Sequence, residues 1–177
     1  MRIVGGSLKG RRFYPPKNIP ARPTTDFAKE GLFNILTNQI DFSEISFLDL
    51  FGGTGSLSYE IASRGCENIV IVEKDAKSAR FINQQKDEFQ LPIQVLQMDV
   101  FTYLHGVNQQ FELIFAGPPY PLPNLATIPD EVFAADCLTS KGWLILEHNP
   151  NHNFDSHPMF LKKRNYGTTI FSIFEKP

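Results

Sequence analysis

Apolar residues along this chain repeat with two different periods, and the alternation between them predicts the fold. Short apolar runs bounded by turn formers lie near 46–50, 68–72, 93–97, 111–115 and 142–147 and read as buried strands. Between them, residues 56–64, 76–90, 100–105 and 125–138 carry apolar positions at helical spacing, with Asp75 placed to cap the second helix. Strands alternating with helices predict a doubly wound, mostly parallel α/β sheet. An earlier helix begins near Thr24, Thr25 and Asp26, any of which can cap it, and places Ala28, Leu32, Ile35 and Leu36 on one face. The tail breaks the rhythm. Met159 to Lys163 and Thr168 to Phe174 flank Asn165-Tyr166-Gly167 and predict two strands joined by a turn, an antiparallel edge on the sheet.

Ahead of this pattern, Arg2 to Val4 and Arg12 to Tyr14 predict a small N-terminal β-hairpin. Pro15, Pro16, Pro20 and Pro23 then impose an extended path across the surface. Charge sets this segment apart. Residues 1–29 hold seven lysines and arginines against one acid, whereas the other residues hold ten bases and eighteen acids. That asymmetry fits a basic face for a polyanion, or a solvated arm. The 177 residues fit a single domain, 1–177, made of a basic extension over 1–25 and an α/β core over 26–177. Cys66 and Cys137 read as free thiols in a reducing compartment. No apolar run has the length of a membrane span, so a soluble cytoplasmic protein is expected, with no membrane partner.

Candidate chemistry sits where strands end. Phe47-Leu48-Asp49-Leu50-Phe51-Gly52-Gly53-Thr54-Gly55-Ser56 is a strand running into a glycine turn, the place where open α/β sheets bind nucleotides. A dinucleotide fingerprint would need a third glycine where Ser58 stands. Asp49, moreover, repels phosphate and attracts an ammonium group. S-adenosylmethionine carries such an amine. Glu73 ends the second strand, where it can accept from ribose hydroxyls or cap the next helix. Asp99 ends the third strand and can accept from the adenine amine or cap the helix after it. Phe51 and Phe101 stand where adenine needs apolar walls. After the fourth strand comes Gly117-Pro118-Pro119-Tyr120, a rigid turn with outward carbonyls and an aromatic face on which a base can stack. His148 and His152 are separated by Pro150, which works against a helical metal pair, so no metal site is expected.

The diproline element resembles the [DN]-P-P-[YF] motif of methyltransferases that act on exocyclic amino groups. Further motifs narrow the resemblance: Arg2-Ile3-Val4-Gly5-Gly6, Lys9-Gly10-Arg11-Arg12, Arg22-Pro23-Thr24-Thr25-Asp26, Glu30-Gly31-Leu32-Phe33-Asn34 and Tyr166-Gly167-Thr168. With the Asp49 loop they are similar to the RsmD-type bacterial 16S rRNA guanine-N2 methyltransferases, along essentially the whole chain. The resemblance implies a Rossmann-like, class I S-adenosylmethionine-dependent methyltransferase fold with seven strands ordered 3-2-1-4-5-7-6, and makes 26–177 the catalytic core. It implies that Asp49, Phe51, Gly53, Gly55, Glu73 and Asp99 hold the cofactor. Gly117, Pro118, Pro119 and Tyr120 would hold a flipped guanine, and Arg11, Arg12 and Arg22 would contact phosphates of small-subunit rRNA in an assembling or assembled ribosomal particle.

One position departs from the family pattern. Gly117 stands where the family has an acid that accepts a hydrogen bond from the target amine. The Pro118 carbonyl, or Glu147 at the end of the following strand, are alternative acceptors. Other functions therefore stay open: a cofactor- and RNA-binding assembly protein without turnover, an amino-group DNA methyltransferase and, most distantly, a nicotinamide oxidoreductase.

Overall fold

The computed structural model describes residues 1–177. Its framework is one seven-stranded sheet: β1 (Ser46–Leu50), β2 (Asn68–Val72), β3 (Ile93–Leu96), β4 (Phe111–Ala116), β5 (Leu138–His148), β6 (Phe160–Tyr166) and β7 (Thr169–Glu175). The order across the sheet is β3-β2-β1-β4-β5-β7-β6. Strands β1 to β5 pair in parallel, and β7 pairs antiparallel with both β5 and β6. The fold is that of the class I methyltransferases, as the sequence led us to expect.

Five helices complete it: α1 (Asp26–Thr37), α2 (Ser56–Ser63), α3 (Ala76–Phe89), α4 (Val100–Gly106) and α5 (Ile128–Ala134). Thr25 caps α1 by accepting from the Ala28 amide at 3.2 Å, and Asp75 caps α3 through Ser78 at 2.8 Å. The central strands are buried on both faces, so alternate side chains enter two separate cores. Phe47, Ile69, Ile71, Leu113, Phe115 and Ile145 face one, whereas Leu48, Val70, Val72, Ile114, Leu144 and Leu146 face the other.

Three elements differ from the sequence reading. The helix expected over 125–138 is a 3-10 turn at Leu125–Thr127 followed by the short α5. It stops because Asp136 adopts φ 52° and the chain turns straight into β5. Strand β5 begins at Leu138 rather than near 142, paired with Phe111 across an irregularity where Lys141 takes φ 64°. At the N-terminus, the expected hairpin is one antiparallel bridge, Arg2 with Arg12, flanked by hydrogen bonds from Ile3 to Arg11 and from Phe13 to Met1.

The basic segment is packed rather than solvated. Ile3 and Phe13 are buried, and Phe13 meets Tyr59 edge to face at 5.1 Å. Beneath it, buried Lys29 faces buried Glu60 at 3.4 Å and donates to the Arg2 carbonyl and Ser56. Glu60 also accepts from the Val4 amide. Burial lowers the Lys29 pKa, against the opposing pull of Glu60.

Candidate active site

Sheet order reverses between β1 and β4, which leaves a crevice beyond their carboxyl ends. A cavity of about 650 Å³ occupies it. Loops following β1, β2, β3 and β4 meet there, together with the end of β5 and residues 20–24 of the N-terminal segment.

The turn after β1 could not be built from ordinary residues. Gly53 and Gly55 adopt φ 58° and 82°, and a Cβ at Gly55 would lie 2.4 Å from the Tyr59 ring. Phe51 takes φ 68°, a left-handed conformation that costs a non-glycine residue about 1–3 kcal/mol. It is held there by amide donation from both Phe51 and Gly52 to the Val72 carbonyl at 3.1 Å. Sequence periodicity carries no signal for that strain.

Asp49 is buried at the cavity floor and accepts from the Ser58 hydroxyl at 2.6 Å. Ser58 thus fills the third-glycine position with a group that serves the carboxylate. Burial raises the Asp49 pKa from 3.8 to about 7; Ser58 opposes the shift and the Glu73 charge adds to it. A buried carboxyl held so far from its ordinary value favours a cation brought into the cavity.

Glu73 does more than line the wall. One of its oxygens accepts from the Gly53 amide and the other from the Asp75 amide, both at 2.7 Å, so it fixes the glycine turn to the next loop. Burial raises its pKa, against those amide bonds. Asp99 combines both roles considered for it: Oδ1 caps α4 through the Thr102 amide at 3.0 Å, while the residue also lines the cavity. Oδ2 lies 3.9 Å from the exposed Lys74 ammonium, a cavity neighbour that the sequence reading did not single out. Phe51 and Phe101 line the cavity with them.

Gly117, Pro118, Pro119 and Tyr120, after β4, also line the cavity. The Gly117 amide donates to the Leu50 carbonyl at 3.3 Å, tying the turn to the end of β1. Tyr120 donates its hydroxyl to Glu147 at 2.9 Å, and Arg22 lays its guanidinium 4.6 Å above the Tyr120 ring. The other Glu147 oxygen accepts from Thr24 at 2.6 Å. Burial raises the Glu147 pKa, opposed by these two hydroxyls and by the Arg22 charge. Burial also pushes the Tyr120 phenol up to about 12.

Apart from Gly55, which shapes the turn without lining the cavity, every residue expected at the cofactor and base sites reaches this one space, and Arg22 reaches it as well. Arg11 and Arg12 do not. They are exposed on the N-terminal segment, with Arg11 over the Phe89 ring at 5.3 Å. Pro20, Ala21, Pro23 and Thr24 were missed, because an extended proline-rich path has no periodicity to show which face it covers. His148 is buried at the end of β5, where its ring nitrogens engage the Asn149 carbonyl and Ser172 Oγ at 2.8 and 2.7 Å. No helix is long and apolar enough to cross a membrane.

Comparison with known proteins extends these observations. A family model described as conserved hypothetical protein 95 matches residues 1–175. The putative rRNA methyltransferase YlbH of Bacillus subtilis is 30% identical over 99% of both chains. The ribosomal RNA small subunit methyltransferase D of Escherichia coli K12 is 31% identical over 68% of this chain and 60% of its own. Among solved structures, the hypothetical protein TTHA0928 of Thermus thermophilus superposes with a TM-score of 0.87 at 28% identity, covering 99% of each chain. The T. thermophilus 16S rRNA N2 G1207 methyltransferase RsmC, solved with AdoMet and guanosine, shares the fold at a TM-score of 0.73 and 22% identity. That match covers the whole of this chain and 49% of RsmC. With the family model matched from end to end and the strand-end carboxylates and diproline turn in one cavity, the chain belongs to the conserved hypothetical protein 95 family, the RsmD-type rRNA methyltransferases.

Proposed function

We propose that this chain transfers a methyl group from S-adenosylmethionine to N2 of a guanine in small-subunit rRNA. The observation that carries the reading is Asp49, a buried carboxyl raised to about 7 in the lining of a cavity that the diproline turn also lines. An acid so placed suits the ammonium of an amino-acid cofactor and works against a pyrophosphate. Asp49 and the turn at Gly53 and Gly55 would hold the methionine end, with Phe51 and Phe101 as apolar walls for the adenine. Glu73 would hold the ribose and Asp99 the adenine, each through lone pairs left over from their backbone bonds.

The bound cofactor supplies a methyl group already activated on a sulfonium, so the chain's own work is placement. Pro118 and Pro119 fix the corner against which a flipped base would rest, and Tyr120 offers its ring face. Residues 20–24 line the cavity and would help exclude water. Arg22 lies over the Tyr120 ring, while Arg11 and Arg12 are exposed and free for phosphates. The substrate would be rRNA in an assembling or assembled particle in the cytoplasm.

Mass spectrometry of rRNA nucleosides from a deletion strain tests this directly. N2-methylguanosine should fall by one residue per small subunit and return on complementation; an unchanged content would refute the proposal. A second reading is favoured by one observation, the absence of an acid at Gly117: a protein that binds cofactor and RNA but does not turn over. Methyl incorporation by the purified chain into rRNA from the deletion strain separates the two.

A further inference from the structure

The family's amine acceptor is missing from the head of the diproline turn, and the space it would need is filled. A Cβ built on Gly117 would lie 2.9 Å from Cε1 of Phe115, whose ring lines the same cavity. An acid there would require that ring to move. The turn is therefore packed around a glycine.

A carboxylate nevertheless stands next door. β4 and β5 run parallel, with Phe115 opposite Ile145 and Ala116 opposite Leu146. Gly117 directly follows the last paired residue of β4, and Glu147 directly follows its partner Leu146 along β5, so the two leave that pair side by side. Glu147 lies on the Ile145 face of β5, in the core that Phe115 also enters, and Phe115 is the side chain that a Cβ on Gly117 would meet. Glu147 lines the cavity and is 6% exposed. Its two oxygens each accept one hydroxyl, from Tyr120 at 2.9 Å and from Thr24 at 2.6 Å. An ionised carboxylate has about four acceptor sites, so each oxygen keeps one. Two hydroxyls from different segments hold the group in one orientation, as a transition-state acceptor needs to be held.

We propose that Glu147 accepts the hydrogen bond from the amine being methylated, one strand across from where the family carries its acid. This rests on the amino-group methyltransferase reading above. In the transfer the amine lone pair forms the N–C bond, the S–C electron pair stays on sulfur, and the nitrogen releases one proton, which Glu147 takes. Tyr120 and Thr24 are positioning residues for that carboxylate.

Two measurements on Glu147→Gln test the assignment. In single-turnover transfer to small-subunit rRNA from the deletion strain, the rate should fall by about 100-fold or more, the usual loss for one aligned transition-state hydrogen bond. Affinity for S-adenosylhomocysteine should change by less than about threefold, because the amide replaces a group on the base side of the cavity. Binding of guanosine and inosine 5′-monophosphates to the S-adenosylhomocysteine complex reads the contact without turnover, since inosine lacks the amine. The wild type should prefer the guanine nucleotide by about tenfold, the value of one good hydrogen bond, and Glu147→Gln, left with one neutral acceptor oxygen for three donors, should reduce that preference. Should the glutamine variant fail to fold, Glu147→Asp, a carboxylate one methylene shorter, should lose rate while keeping part of the preference. Wild-type rates in these variants, or an undiminished guanine preference in Glu147→Gln, would overturn the assignment while leaving the methyltransferase reading intact. No incorporation by the wild type would overturn both.

Discussion

Replacing Asp49 by asparagine separates what this carboxyl costs the fold from what it gives the site. Its pKa is raised from 3.8 to about 7 in the folded protein, chiefly by burial. In the unfolded chain it ionises near 3.9. Between those values the folded state binds more protons than the unfolded state, so stability falls as pH rises through the window from about 4 to about 7. At 1.36 kcal/mol for each pKa unit, the full loss is about 4 kcal/mol above pH 7, a large part of a typical domain's stability. Asparagine keeps an acceptor for Ser58 and does not titrate. Urea unfolding of both proteins, without cofactor, at several values between pH 4 and 8 should therefore show the wild type losing up to about 4 kcal/mol relative to Asp49→Asn. Comparing the two pH dependences removes any constant cost of the amide and cancels the titrating groups that do not interact with Asp49. S-adenosylhomocysteine should show the converse, because its ammonium requires the ionised carboxylate. Its affinity for the wild type should weaken as pH drops below about 7, approaching tenfold for each pH unit, while its weaker affinity for Asp49→Asn stays flat. Parallel stability curves for the two proteins would refute both the buried titration and the cation site built on it.

Other perturbations test the surrounding parts. Glu73→Gln leaves one acceptor oxygen for the amides of Gly53 and Asp75, so thermal unfolding should show a loss of about 1–3 kcal/mol, with weaker S-adenosylhomocysteine binding by calorimetry. Lys29→Met leaves the buried Glu60 with Arg64 at 3.5 Å as its remaining counter-charge and should cost up to about 3–5 kcal/mol, with the N-terminal segment becoming open to limited proteolysis. Adding Glu60→Gln to it should recover much of that loss in the same unfolding assay. Arg11→Ala with Arg12→Ala should weaken rRNA binding at low salt and flatten its salt dependence by about one logarithmic unit for each phosphate no longer neutralised, read by filter binding across a salt series; methyl-donor affinity should not change.

Much of this molecule could be read along one dimension. Period and turn chemistry placed the seven strands, and the acids at strand ends marked the crevice, because a parallel strand buried on both faces ends abruptly where polar residues resume. The glycines of the turn after β1 and the prolines after β4 declared backbone conformations that only those residues favour. Local sequence was poorest where the backbone departs from its preferences: the left-handed Phe51, the early stop of α5 at Asp136 and the long β5 with Lys141 at positive φ. In each case contacts with distant parts of the chain outweigh residue propensity.

Tertiary structure alone decided which groups share work. Thr24 and Glu147 are far apart in sequence, yet their hydrogen bond joins the N-terminal segment to the end of β5 beside Tyr120. Packing turned Ser58 from a missing glycine into the partner of Asp49, and Phe115 into the ring that would have to move for an acid at Gly117. Residue type says which bonds a side chain can make. The register between strands and the water excluded around it settle which bonds are made and how far each pKa moves.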